Sequence, residues 1–333
     1  MPDSEEMITI SLRIFTDSSA NLPEEAIQKR NIGIIPLTLT VNGEEMLCYE
    51  PGGTFDGEAF YERMRVEDKL ELRTSMINSA AFAAAFEPCL KAGDDILYVA
   101  MSSGISGTYF AGETAAQSLR AAYPERSILA VDTRAASLGE GLMVLEAADM
   151  RDRGVPAAEI ADYLNARRGQ MRQHFMVDNL MFLKRGGRIS ASAALAGTLL
   201  SLKPILTADA EGRIVLDKKI VGRKKALRML VEIFEEGWLD AAENRRAGIA
   251  HGGCEEDALA LAQEIRAGHP KVEFTVVCYE PGTGAHVGPG TVALFFWGQD
   301  REEKEALLAS IRAKIAAEAA HIKSEIENKL HKD

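Results

Sequence analysis

Ile96-Leu97-Tyr98-Val99-Ala100-Met101-Ser102-Ser103-Gly104-Ile105-Ser106-Gly107-Thr108-Tyr109 is the stretch on which the fold turns. An unbroken apolar run as short as Ile96 to Met101 suits a strand covered on both faces, the kind found in parallel sheets. The hydroxyl- and glycine-rich segment after it punctuates the chain, and a helix starts near Gly107. Strand, small-residue turn and helix together form the repeating unit of an α/β fold.

The same unit recurs on either side. Ile10 to Thr16 reads as a strand, and Asn21-Leu22-Pro23-Glu24 reads as a helix start, with Asn21 as cap and Glu24 closing a capping box. Ile34 to Val41 is a second strand, turned by Asn42-Gly43 as a tight hairpin. Asp56 caps a short helix through Met64, and Ser79 to Lys91 is a helix ended by Gly93. Ser127 to Val131 is another strand, followed by a helix from Leu138 to Arg153. The expectation is an N-terminal three-layer unit, a mostly parallel sheet with helices on both faces, over residues 8–168.

The polar run Arg167-Arg168-Gly169-Gln170 marks the end of that unit. Residues 169–298 read as a second, mixed α/β unit that opens with a strand at His174 to Leu180. It contains a hairpin from Lys203 to Lys219, turning at Asp209-Ala210-Glu211-Gly212. Helices at Lys224–Glu236 and Glu255–Ala267 alternate with strands at Ala247–His251, Glu273–Tyr279 and Thr291–Trp297. Residues 299–333 differ. Past Arg301 there is no Gly or Pro, and Leu308, Ile311, Ile315, Ala319, Ile322, Ile326 and Leu330 lie three or four apart. That spacing is one face of an amphipathic helix, which docks on its own domain or pairs two copies as a homodimer.

Composition narrows the function. Asp and Glu number 50 against 38 Lys and Arg, a formal charge of -12, which argues against a general binder of nucleic acid or anionic membrane. Cys48, Cys89, Cys254 and Cys278 are far apart in sequence and form no CxxC pattern, so they read as free thiols in a reducing compartment. No apolar run reaches spanning length, and the first residues lack the layout of a secretory leader. The expectation is a soluble cytoplasmic protein.

Three strand ends deliver hydroxyl-rich loops: Thr16-Asp17-Ser18-Ser19, Ser102 to Thr108, and Asp132-Thr133-Arg134. In an open parallel sheet, ligands sit at the carboxyl ends of the strands. A Ser/Gly turn into a helix offers unpaired N–H groups and a partial positive charge. These features point to a small anion held near Ser106, with the backbone of Gly107 and Thr108 as further donors. Taken one at a time, the same loops read as helix caps rather than as a site. Gly282-Thr283-Gly284-Ala285-His286-Val287-Gly288-Pro289-Gly290 reads as a loop between two strands, with His286 free of neighbouring bulk. His174 and His251 read as structural, and His269, His321 and His331 as surface groups. There is no GxGxxG, no GxxxxGK[ST], no HExxH and no clustered ligand set, so no nucleotide cofactor and no metal is expected. Gly104-Ile105-Ser106-Gly107-Thr108 begins like a nucleophile elbow but has Thr108 where the final glycine belongs.

Taken in order, several pieces resemble the DegV family. They are Phe15 to Pro23, Thr74-Ser75, Ser102 to Tyr109, Leu183-Lys184-Arg185-Gly186-Gly187-Arg188-Ile189-Ser190, Leu202 to Leu206, and the His286 segment. The resemblance implies a two-domain α/β protein that binds one long-chain fatty acid between its domains and is not itself an enzyme. It further implies a separate ATP-dependent kinase subunit that phosphorylates the bound carboxylate for phospholipid synthesis. By motif, Thr74 and Ser106 hold the carboxylate and His286 assists. Arg185, Arg188, Arg223 and Lys224 are candidates for meeting the kinase, or plain surface charge. Met76-Ile77-Asn78 and Phe110 depart from the family's pattern beside the expected ligand. The competing expectation is a dihydroxyacetone-kinase-like phosphotransferase component that binds a small carbonyl compound.

Overall fold

The computed structural model describes residues 11–67, 69–189 and 201–301. The expected C-terminal helix, apart from residues 299–301, lies outside the described residues, as do its proposed dimer contact, His321, His331 and Ser190.

The first sheet is parallel, in the order β2-β1-β6-β7. Its strands are β1 (Leu12–Asp17), β2 (Ile32–Ile35), β6 (Asp95–Ala100) and β7 (Ile128–Asp132). The central strand β6 shows why its apolar run is continuous. Ile96, Tyr98 and Ala100 join one buried cluster, with Phe82, Phe86, Ala115 and Leu119 from α3 (Ser79–Lys91) and α4 (Thr108–Ala122). Leu97 and Val99 join the other, with Leu142, Leu145, Ile160 and Leu164 from α5 (Leu138–Asp152) and α6 (Ala157–Arg167). Alternate side chains feed opposite faces, and both faces are dry. Helix α6 was not expected from the sequence.

The second sheet is mixed, in the order β10-β9-β8-β13-β11-β12. It contains β8 (Met171–Met176), β9 (Leu202–Ala208), β10 (Ile214–Val221), β11 (Arg246–His251), β12 (Glu273–Cys278) and β13 (Val292–Trp297). β11 and β12 pair in parallel and the other neighbours pair antiparallel. One face packs on α8 (Arg223–Gly237) and α9 (Glu255–Gly268). The other contributes Phe175, Leu206, Ala293 and Phe295 to the cluster that holds α5. Helix α5 is therefore clad by both sheets, which is why eleven of its fifteen residues are buried.

A third, antiparallel sheet, β4-β3-β5, was missed in the sequence. The run Ile34 to Val41 is not one strand. Pro36 lacks an N–H and splits it into the end of β2 and β3 (Thr38–Val41). The hairpin at Asn42-Gly43 is present, with φ of 50° and 92°, and leads into β4 (Glu44–Leu47). On the other side of β3 lies β5 (Leu72–Ser75), which carries Thr74.

Three local readings are corrected. Asn21 does not cap α1 (Glu24–Lys29), whose preceding residue is Pro23. Asn21 instead closes a 3-10 turn in the left-handed region, at φ 54°. Its amide donates to the Cys278 carbonyl at 3.1 Å and accepts from the Glu280 N–H at 2.6 Å, tying the first unit to the second. His286 is not on a loop. It lies in α10 (Pro281–Val287), with Pro281 in the first turn and Glu280 as side-chain cap. His269, expected at the surface, packs edge-on against Trp238 at 4.6 Å and bonds Glu235.

Candidate functional site

A cleft opens at the carboxyl ends of β6 and β7, where the parallel sheet faces β8, β9, β10 and β13. It encloses about 900 Å³ of empty space, its open mouth included. Met101, Ile105, Phe175, Leu183, Ile214 and Phe295 give it mainly apolar walls. Both units supply these residues, so the cleft exists only when the two are packed together.

Polar groups gather in one part of the wall. Thr74 on β5 and His286 on α10 meet with Oγ1 and Nε2 2.7 Å apart. The other side of the ring lies against Gly186, where a Cβ would come within 2.1 Å of Nδ1. That close approach requires glycine after α7 (Met181–Arg185), and the turn it permits carries Arg188 into the cleft. The Arg188 Nε donates to the Ile105 carbonyl at 3.2 Å, and a terminal nitrogen bonds the Gly186 carbonyl. Ser106 lines the same wall, its Oγ 2.8 Å from the Thr108 hydroxyl.

The electrostatics follow from burial. Burial and the neighbouring Arg188 push the His286 imidazole down to about 4, so the ring is neutral at pH 7. Burial also lowers the Arg188 guanidinium without neutralising it. The wall thus offers one cation, two hydroxyls and one neutral imidazole, an arrangement suited to a single anionic oxygen pair.

Thr74, Ser106 and His286, matched from separate motifs, are brought to one wall. Gly107 and Thr108 are not lining residues, and the Thr108 N–H already donates to Ser106 Oγ at 3.2 Å. The readings of the arginines need correction. Arg188 faces the cleft, not the outside. Arg223 is held by Asp178 and Asp257 at 2.9 and 2.6 Å and donates to the Gly290 carbonyl, so its charge serves the fold. Arg185 and Lys224 are exposed. Met76 lines the cleft as expected, whereas Phe110 points away from it on the exposed side of α4. The sequence signal for Arg188 was the Gly186-Gly187 pair before it, since only a tight turn folds an arginine back beneath its own helix.

The first hydroxyl loop does something else. Ser19 Oγ lies 2.5 Å from Asp17 Oδ1 and 2.7 Å from Glu140 Oε2, and all three residues are wholly buried. One hydroxyl hydrogen cannot serve both contacts, so one carboxyl carries a proton. Burial raises the Asp17 carboxyl, but it accepts from Ser19, Tyr98 and the Met101 N–H, bonds that favour its anion over that of Glu140. Burial, and then the Asp17 charge, push Glu140 well above the usual carboxylate range, so Glu140 holds the proton. Glu280 is half-buried nearby and is pushed up to about 7 by desolvation, against the N–H groups of Thr283 and Gly282 that it caps. Burial raises all four thiols, so none is a poised nucleophile. Among the described residues, no group of three or more His, Cys, Asp and Glu side chains could hold a metal ion, and no helix is long and apolar enough to cross a membrane.

Comparison with known proteins gives one consistent result. The family described as "Uncharacterised protein, DegV family" matches residues 11–299. A DegV domain-containing protein of Clostridium perfringens is 39% identical over 87% of this chain and 98% of its own length. Among solved structures, a fatty-acid-binding DegV family protein of Thermus thermophilus superposes with a TM-score of 0.76 at 31% identity, over 87% of this chain and all of that one. DegV of Bacillus subtilis, described as a fatty acid binding protein, gives 0.74 at 30% identity, again over 87% and 100%.

Proposed function

This chain belongs to the DegV family, with the α/β fold of its solved members, and we propose that it binds one long-chain fatty acid in the cleft between residues 8–168 and 169–298. The observation that carries the proposal is the joining of an apolar cleft to one wall that bears Thr74, Ser106, His286 and Arg188. The acyl chain lies along the apolar residues, and the carboxylate meets the two hydroxyls, the imidazole and the guanidinium. Each charge-assisted hydrogen bond contributes about 1.5–3 kcal/mol. Each buried methylene contributes about 0.8 kcal/mol, so over a long chain the tail sets affinity and the head sets orientation.

The protein presents the carboxylate and does not itself turn it over. A separate ATP-dependent kinase subunit forms the acyl-phosphate, with His286 stabilising charge as it develops on the head group. A small carbonyl compound, as in a dihydroxyacetone-kinase-like component, would leave the apolar walls unused. Mass spectrometry of lipid extracted from the purified protein tests the reading. A stoichiometric long-chain fatty acid is expected, and a triose, or no ligand even after incubation with fatty acid, would end it.

A further inference from the structure

Ser137 stands immediately before α5, where a serine ordinarily accepts a hydrogen bond from the first turn of the helix. Here it makes no such bond. Its backbone lies at φ 53° and ψ -142°, a region that L-residues rarely occupy. The conformation is held from both sides. The Ala136 N–H donates to Gln173 Oε1 at 3.3 Å, and the Ser137 carbonyl accepts the Gly141 N–H at 2.9 Å. Two residues on, a Cβ at Gly139 would come within 3.0 Å of the Phe295 ring, so the helix start cannot shift toward β13.

The strained conformation sends the hydroxyl into the cleft. Ser137 lines it, is only 2% exposed, and its Oγ faces the Tyr279 hydroxyl and no other polar group among the described residues. The other polar side chains of this deeper wall are engaged. Gln173 spends its amide on Ala136 and Arg134, and Thr207 donates to the Gln173 carbonyl. The hydroxyl beside Ser137 belongs to Tyr279, which is buried and also lines the cleft. His286 of the head-group wall lies seven residues on from Tyr279, about 10 Å at the rise of a helix. Two hydroxyls that face each other use one hydrogen between them, so a plain methylene chain passing here would leave the other hydrogen desolvated without an acceptor, a loss that a ligand oxygen would remove.

We propose that Ser137, with Tyr279, forms a second polar station in the cleft that selects an acyl chain bearing an oxygen at mid-chain, such as a hydroxy fatty acid. The proposal rests on the fatty-acid reading above and names its substrate class. The chain oxygen accepts from or donates to Ser137 Oγ while the carboxylate stays at Thr74, Ser106 and Arg188. Strain in the Ser137 backbone then has a use, since it aims the hydroxyl at the ligand in place of the helix.

The test is displacement of a fluorescent fatty acid by stearate and by positional isomers of hydroxystearate. Wild type is expected to prefer at least one mid-chain isomer over stearate by about tenfold, the worth of one hydrogen bond. Ser137→Ala is expected to bring that ratio to about one. If Ser137→Ala does not fold, Tyr279→Phe is read in its place, with a reduced ratio expected. Wild type that binds stearate as tightly as every isomer would overturn the second station and leave fatty-acid binding intact. Binding of neither stearate nor any isomer would overturn the fatty-acid reading, and this proposal with it.

Discussion

Two polar clusters, one wholly buried and one lining the cleft, each combine hydroxyls with charged groups, and they differ in what is left over. The seam cluster of Asp17, Ser19, Tyr98 and Glu140 consumes its own donors, since each hydroxyl contacts a carboxyl of the same cluster. The cleft cluster of Thr74, Ser106, His286 and Arg188 lies against open space, and its cation bonds only carbonyls among the described residues. Counting hydroxyls at strand ends does not tell the two apart. What separates a ligand site from a structural one is donor capacity still free once the protein's own groups are satisfied.

Breaking the seam cluster should cost the most and should register as stability. Asp17→Ala strands the Met101 and Ser19 N–H groups and the Tyr98 hydroxyl in a dry interior. A loss of about 3–5 kcal/mol is expected from the urea midpoint, with an unchanged slope. Fatty-acid affinity at a concentration where the variant is folded should change little. A variant of normal stability would contradict the saturated-cluster account.

The next effect sharpens the comparison through pH. A carboxyl raised in the folded state binds its proton there first, so its contribution is fully present below the unfolded value and is lost as pH rises through the folded one. For Glu280 that window runs from about 4.5 to about 7, with up to about 3 kcal/mol in play. His286 has the opposite sign. Its folded value of about 4 lies below the unfolded 6.5, so its contribution is present above 6.5 and is lost as pH falls toward 4. Glu280→Gln should flatten the decline of the thermal midpoint between pH 5 and pH 7.5. An identical decline in wild type and variant would remove Glu280 from the account.

Changes in the cleft cluster should be smaller in stability and specific to the ligand. Ser106→Ala and Thr74→Val are each expected to weaken fatty-acid binding by about tenfold, from loss of one donor, with unfolding free energy within about 1 kcal/mol of wild type. His286→Ala should reduce acyl-phosphate formation by a cognate kinase subunit more than it reduces binding. Equal losses in both would assign the ring to bracing Thr74 instead.

Much of the scaffold was legible in the sequence because it obeys local rules. The apolar run of β6 and the Asn42-Gly43 hairpin follow from burial on both faces and from left-handed turn residues. The errors fall where long-range contacts override those rules. Asn21 looks like a helix cap, yet it bridges to Cys278 and Glu280, more than 250 residues away. Glycines around His286 suggested a loop, but Pro281 and Glu280 start a helix there, and the glycines admit neighbours such as Tyr61 and Phe182. Thr74, Ser106 and His286 were found through family motifs, since no local pattern joins them. Arg188 and Ser137 were misread or passed over because their roles depend on which way a turn points them.

The most direct test of the central claim compares palmitate with its methyl ester, which has the same tail and no charge, by their dissociation constants for the wild-type protein. Palmitate should bind about 100-fold more tightly, because one cation and two hydroxyls meet its carboxylate. Equal affinity for the acid and the ester would contradict the assignment of Thr74, Ser106, His286 and Arg188 as the head-group site.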